Sequence, residues 1–173
     1  MIKNPIIMKK TEKKPIKLKV GTIIRQGGKI LLIKERLNKN LSYGWNVCAG
    51  SWEESDGDLK EAAAREAKEE AGIEARIVGF YKAIFVNLEH AFKLQFYFIA
   101  DAISEPKLPS KSDQEKFHED IIECKAFMPD EILKMEDKEF ISSTTAQILK
   151  DYAKNPSVLP LDSISHIEKE IKF

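Results

Sequence analysis

Apolar positions along the chain change period from segment to segment, and each period predicts an element. Lys19 to Arg25 (KVGTIIR) and Lys29 to Lys34 (KILLIK) are short runs rich in Ile, Val and Leu, the pattern of buried strands. Gln26-Gly27-Gly28 between them supplies a hairpin turn, because glycine accepts positive φ without steric cost. A polar loop, Glu35 to Gly44, follows. From Asp58 to Ala71 (DLKEAAAREAKEEA) there is no Gly, Pro or β-branched residue, so the spacing predicts a helix. Asp58 is a suitable N-cap, Glu61 is placed to close a capping box, and Gly72 is placed for a left-handed stop. Ala75 to Leu88 reads as one or two strands broken near Gly79. Phe92 to Ala100 alternates, with Phe92, Leu94, Phe96, Phe98 and Ala100 on one face and Lys93, Gln95 and Tyr97 on the other. Glu105 to Glu119 reads as a polar loop and Ile121 to Phe127 as a strand. Pro129 to Met135 and Glu139 to Lys154 read as helices, the second ended by Pro156 and Pro160, and Ser163 to Phe173 as a short one. The order predicts an α/β protein, a mixed sheet covered by helices.

Length and composition narrow this to one soluble domain with tails: 173 residues, 43% apolar and 32% charged. No run is long and apolar enough to span a bilayer, and the first residues do not form a signal peptide. Cys48 and Cys124 make no disulfide framework, which makes a reducing cytoplasm the expected location. The formal charge is zero, with 28 basic and 28 acidic side chains. The first nineteen residues nevertheless carry seven Lys and one Glu, leaving the remainder acidic. Residues 1–17 are therefore expected to be a basic tail or edge strand, residues 18–154 the domain, and 155–173 an extension. A nucleic-acid contact through the tail's lysines is the minor alternative to a solvated leader.

On the predicted helix, Glu66, Glu69 and Glu70 fall on one face, and the alanine stripe beside them allows close approach to a sheet. Like charges at these spacings repel, and Arg65 is the only plausible local partner. A hard divalent cation such as Mg²⁺ or Mn²⁺, which prefers carboxylate oxygens, would offset that repulsion. The alternative is a solvated acidic face.

Arg65-Glu66-Ala67-Lys68-Glu69-Glu70-Ala71-Gly72-Ile73 resembles the second half of the Nudix box, R-E-U-x-E-E-x-G-U, where U is apolar. Trp45 to Glu53 (WNVCAGSWE) resembles the segment that leads into it, and the order of elements is similar from Lys17 to about Lys154. The full box reads G-x5-E-x7-R-E-U-x-E-E-x-G-U. Here one extra residue separates Gly50 from Arg65, and counting back from Arg65 puts Gly57 where the pattern has Glu. Glu53, Glu54, Asp56 and Asp58 are candidates to replace that acid.

The resemblance implies an α/β/α sandwich and hydrolysis of a pyrophosphate bond in a nucleotide-type substrate with Mg²⁺ or Mn²⁺. It implies metal ligation by Glu66, Glu69, Glu70 and the carbonyl of Gly50, with Arg65 orienting the carboxylates. A general base is expected in the loop before a late strand, where Glu115, Glu119 and Asp120 stand; Glu119 is favoured, then Asp120. Lys34 and Arg36, at a strand end, either touch phosphates or stay solvated. Trp45, Trp52 and Tyr81 either stack a base or belong to the core. Cys48 is expected to be buried and inert rather than a nucleophile, and His90, His118 and His166 form no zinc-like spacing. The alternative to an enzyme is a catalytically weak nucleotide-binding or regulatory module, motivated by Gly57. Substrate identity stays open, as does a homodimer.

Overall fold

The computed structural model describes residues 13–36 and 42–165. Long strands β1 (Ile16–Gln26) and β2 (Lys29–Arg36) form the expected hairpin, but they pair only at Ile24–Gln26 with Lys29–Leu31. Beyond that point they splay. Two four-residue strands fill the gap: β3 (Tyr43–Asn46) pairs with β2, and β4 (Cys48–Ser51) pairs with β1. Helix α1 (Leu59–Ala71) follows a single 3₁₀ turn, Glu54–Asp56. The edge strand β5 (Ala75–Asn87) is antiparallel to β6 (Phe92–Ala102), which is parallel to β1 over its length. A short helix α2 (Lys111–Phe117) precedes β7 (Ile121–Phe127), which pairs with the outer edge of β2. Helices α3 (Pro129–Lys134) and α4 (Ser143–Lys154) complete the order.

Central strands are buried on both faces, as expected where helices cover each side. Ile24, Leu31, Ile33 and Ala100 pack under Ala67 and Ala71 of α1. Ile23, Leu32, Tyr97 and Ile99 pack under Ile148, Leu149 and Tyr152 of α4. Each fully buried Ile or Leu contributes about 1.5–3 kcal/mol. The small side chains on α1 let its backbone come close enough for the buried Thr22 hydroxyl to donate to the Ala63 carbonyl at 2.9 Å. The sheet between two helical layers is the expected α/β/α sandwich. Among the described residues, no helix is long and apolar enough to cross a membrane.

Several expectations need correction. Ile16 and Lys17, assigned to the tail, are the first residues of β1 and pair with Phe92 and Lys93. The segments expected as polar loops contain β3's first residues and α2. β5 is one strand, and near Gly79 it bulges rather than breaks, with extra residues at Val78 and Tyr81. Helix α4 starts at Ser143, because the Ser142 hydroxyl caps it and Asp137–Glu139 forms a separate 3₁₀ turn. After α4, Leu159 exchanges backbone hydrogen bonds with Phe80 at the edge of β5, and Leu161–Ser163 forms a 3₁₀ turn. The rest of the proposed C-terminal helix, and residues 1–12 of the basic tail, lie outside the described residues.

Candidate functional site

Helix α1 is the platform. Asp58 caps it by accepting the Lys60 and Glu61 N–H groups, and Gly72 ends it in the left-handed conformation. The capping box forms only by half, because the Asp58 N–H is already bonded to the Asp56 carbonyl at 2.8 Å. The acidic face of α1 lies against β4. Glu70 is 1% exposed, and its Oε2 accepts the Ala49 N–H at 2.7 Å. Glu66 sits beside Gly50, where any side chain would overlap its carboxylate, so the glycine is required by close approach.

A third carboxylate reaches Glu70 from the sheet. Leu31, Ile33 and Glu35 alternate on β2 toward α1, so Glu35 extends an apolar face into the site at the strand's end. Asn46 Nδ2 holds it at 2.7 Å. A fourth comes from the turn after α2. His118 takes a left-handed φ of 60°, Glu119 N–H bonds to the Gln114 carbonyl, and the Gln114 side chain accepts the Ile121 N–H at 2.7 Å. This brace sets Glu119 at the site. Carboxylate oxygens of Glu35, Glu70 and Glu119 all lie within 4.8 Å of one another.

Burial and mutual repulsion raise the affinity of this group for protons. Burial pushes Glu70 well above the ordinary carboxylate range, and Glu35, Glu119 and Glu66 add repulsion. Burial raises Glu35 and Glu119 as well. Glu66 is pushed up to about 7, by burial first and then by Glu69 and Glu119, against the opposing Arg65 charge. Four acids with raised proton affinity in one place form a donor set that could hold a positive charge.

Arg65 organises the flank. Its guanidinium donates to Asp56 through Nε and Nη2 (2.6 and 3.0 Å), to Glu66 at 3.0 Å, to Glu69 at 2.9 Å and to the Ser51 carbonyl at 2.9 Å. Asp56 is buried, also accepts the Glu53 N–H, and is held below the ordinary Asp range, chiefly by its hydrogen bonds to Arg65. It therefore makes the ion pair that Gly57 cannot. Counting forward from Gly50, rather than back from Arg65, puts Asp56 at the acidic position and the extra residue after it. Gly57 has φ 72°, which explains glycine there. Asp56→Ala is expected to cost about 2–4 kcal/mol, because it strands a partly buried guanidinium. Asp56 is depressed below its unfolded value of 3.8, so its contribution is present above that pH and is lost as pH falls through the folded value. Gly57→Glu, which writes the pattern's acid back, is expected to lose about 1–2 kcal/mol to backbone strain without raising activity. Thermal melts and a rate assay check both.

The structure brings Glu66, Glu69, Glu70, Gly50, Arg65 and Glu119 to one place. Other predicted residues lie elsewhere. Asp120 is turned to Arg36 at 2.7 Å, and Arg36 also donates to the Tyr43 hydroxyl, so the two charges satisfy each other. Lys34 alternates to the opposite face from Glu35 and lies over Trp45, 5.3 Å from the ring centre. Trp45 is 7% exposed and edge-on to Phe127 at 4.8 Å; it is core, with no face free to stack a base. Tyr81 likewise packs edge-on against Tyr152. Trp52 is partly buried against a separate apolar cluster of Val20, Ala62, Ala63, Phe80 and Phe98. Cys48 is fully buried with a thiol pushed far upward by burial, as expected for an inert cysteine. His166 lies outside the described residues. Glu35, central to the cluster, was expected in the polar loop and instead belongs to β2; the alternation of Leu31, Ile33 and Glu35 is the signal that could have found it.

Comparison with known proteins agrees with this geometry. The family model described as "NUDIX domain" matches residues 15–148. The fold is similar to a NUDIX hydrolase from Nitrosomonas europaea, with TM-score 0.71 and 23% identity over 89% of this chain and 98% of that one. It is also similar to the E. coli ORF135 protein (TM-score 0.63, 19% identity, 83% and 96% covered). A third likeness is to the MutT protein from Methanosarcina mazei Go1 (TM-score 0.62, 21% identity, 82% and 95% covered). The search of curated proteins returned no match.

Proposed function

The chain belongs to the Nudix family, hydrolases acting on pyrophosphate bonds, and from that membership we propose that it cleaves, with a divalent metal ion, the anhydride of a nucleoside triphosphate or of a nucleoside diphosphate linked to a second group. The observation that carries the metal dependence is the convergence of Glu35, Glu70 and Glu119 oxygens within 4.8 Å. Nudix enzymes generally use divalent ions, and this donor set suits one: hard oxygens, each raised in proton affinity, with one Glu70 oxygen left over from its bond to Ala49. Glu35 and Glu70 would hold the ion, with Glu66, Glu69 and the Gly50 carbonyl as further ligands on the same face, and Glu119 beside them left to act on water. Bound there, Mg²⁺ or Mn²⁺ supplies charge neutralisation for phosphate oxygens and acidification of water.

The remaining roles belong to the chain. Arg65 fixes Glu66 and Glu69 in rotamers that face β4, with Asp56 as its anchor. Glu119, partly exposed on its braced turn, accepts the proton of the attacking water. Asp120 is committed to Arg36 and does not compete for that role. Gly57, which motivates a binding module without turnover, loses that force because Asp56 makes the bond to Arg65.

Hydrolysis of nucleoside triphosphates and nucleotide diphosphate conjugates, with Mg²⁺ and with EDTA, tests the proposal. Metal-dependent cleavage is expected; turnover equal in EDTA would overturn it. A second outcome follows from the raised carboxylates. Glu66, pushed up to about 7, holds its proton for much of the time at pH 6.5, and metal binding must expel it. Titration calorimetry with Mn²⁺ at pH 6.5 in buffers of different ionisation enthalpy is expected to show about one proton released or more, and tighter binding at pH 8. Binding independent of pH would count against the assignment.

A further inference from the structure

On the opposite face of β4 from the acidic cluster lies a cavity of about 220 Å³, between β1, β6 and the start of α4. It adjoins the cluster through shared residues. Asn46 lines it and holds Glu35, while Ala49 lines it and donates its N–H to Glu70. Its own chemistry is the reverse of the cluster's. Lys19 and Lys93 line it together with Gln95, Ser142 and Thr144, and none of its walls carries an acid. Among the described residues, neither lysine has a carboxylate at ion-pair distance. Burial and the Lys19 charge both lower the affinity of Lys93 for its proton. Helix α4 spans twelve residues and begins at this cavity, with Ser142, its cap, and Thr144 and Thr145 of its first turn among the lining residues, so the positive end of its dipole lies at the same space.

Lys19 and Lys93 repel each other across the cavity, and an anion bound between them would relieve that repulsion. Lys19 lines the cavity, and its charge is also felt by Glu35 and Glu119 of the cluster, where it opposes their upward shifts. The cavity has room for a phosphate or a sugar-sized anion, not a whole dinucleotide.

We propose that Lys19, Lys93 and the N-terminus of α4 form a subsite selecting substrates whose group beyond the scissile anhydride carries its own negative charge, a phosphate monoester or a carboxylate. The inference rests on the hydrolase reading and deepens it: the cluster acts on the anhydride, and the cavity reads the charge of what is attached. Among the described residues Lys93 makes no ion pair with the cluster, and it serves as a specificity residue.

Matched pairs differing by one anionic group test it. NADPH against NADH reports a phosphate, and UDP-glucuronate against UDP-glucose reports a carboxylate. In at least one pair, kcat/KM for the charged member is expected to exceed its neutral counterpart by tenfold or more. The ratio is expected to fall toward one in Lys93→Met, which keeps the apolar stem, and to recover in Lys93→Arg. Ratios near one in both pairs for the native protein, or an unchanged ratio in Lys93→Met, would overturn the proposal. Binding of the same pairs by calorimetry without divalent ions separates the two claims. Charge-selective binding without any turnover retains the subsite and sinks the hydrolase reading; turnover without charge preference does the opposite.

Discussion

Glu70→Gln is expected to lower metal-dependent hydrolysis at least 100-fold while making the metal-free protein more stable above neutral pH. Disturbing even a group that only orients a metal ligand costs about 10–100-fold, and Glu70 is at the centre of the cluster itself. The amide is nearly the same shape, and its oxygen still accepts the Ala49 N–H, so the helix stays docked on β4. Stability moves the other way because burial raises Glu70 far above its unfolded value of 4.5. A carboxyl raised in the fold binds more protons folded than unfolded. The fold is then progressively destabilised as pH climbs from the unfolded value toward the folded one. Glutamine never pays that penalty. A higher Tm than the native protein's is expected at pH 8 without metal, and the gain is expected to shrink as the pH is lowered toward 4.5. Mn²⁺ should raise the Tm of the native protein and leave the variant nearly unmoved. A variant that keeps its rate, or melts lower at pH 8 without metal, would remove Glu70 from the proposed role.

The opposed signs explain which parts of the molecule were legible beforehand. Helix α1 is readable because its cap, its helix formers and its stop are local, and each acts within a turn of its own position. Strands β1 and β2 are readable as short continuous apolar runs because both their faces are buried, and β6 by its alternation. Strands β3 and β4 are not, since four residues carry no period and their pairing depends on the splay between β1 and β2. Helix α2 escapes for a different reason: none of its residues is buried, so it leaves no apolar stripe, and only Ser110, bonded to the Asp113 N–H, marks its start. Trp45 illustrates the converse error, a large aromatic whose neighbour Phe127 is eighty-two positions away and claims its ring. The acidic site was legible along α1, where the residues are contiguous. Glu35 and the Asp56–Arg65 pair required the fold to bring separate segments together.

Glu119→Gln and Asp120→Asn are expected to separate two neighbouring acids that sequence alone ranks close together. Removal of a general base costs about 10²–10⁴ in kcat, and Glu119→Gln is expected within that range with a smaller change in KM. Asp120→Asn is expected to change kcat less than threefold, about 0.6 kcal/mol in barrier. Asp120 and Arg36 are both more than a third exposed, so solvent screens their pair and losing it costs little stability. The contrast has a geometric origin. The left-handed turn at His118 and the Gln114 bonds send residue 119 toward Glu70, and the peptide that follows carries residue 120 outward, where its carbonyl accepts the Arg36 N–H. Steady-state kinetics with saturating Mg²⁺ decides it. Equal losses in the two variants would mean that the turn as a whole matters rather than one carboxylate, and a loss only in Asp120→Asn would transfer the role to the residue bound to Arg36.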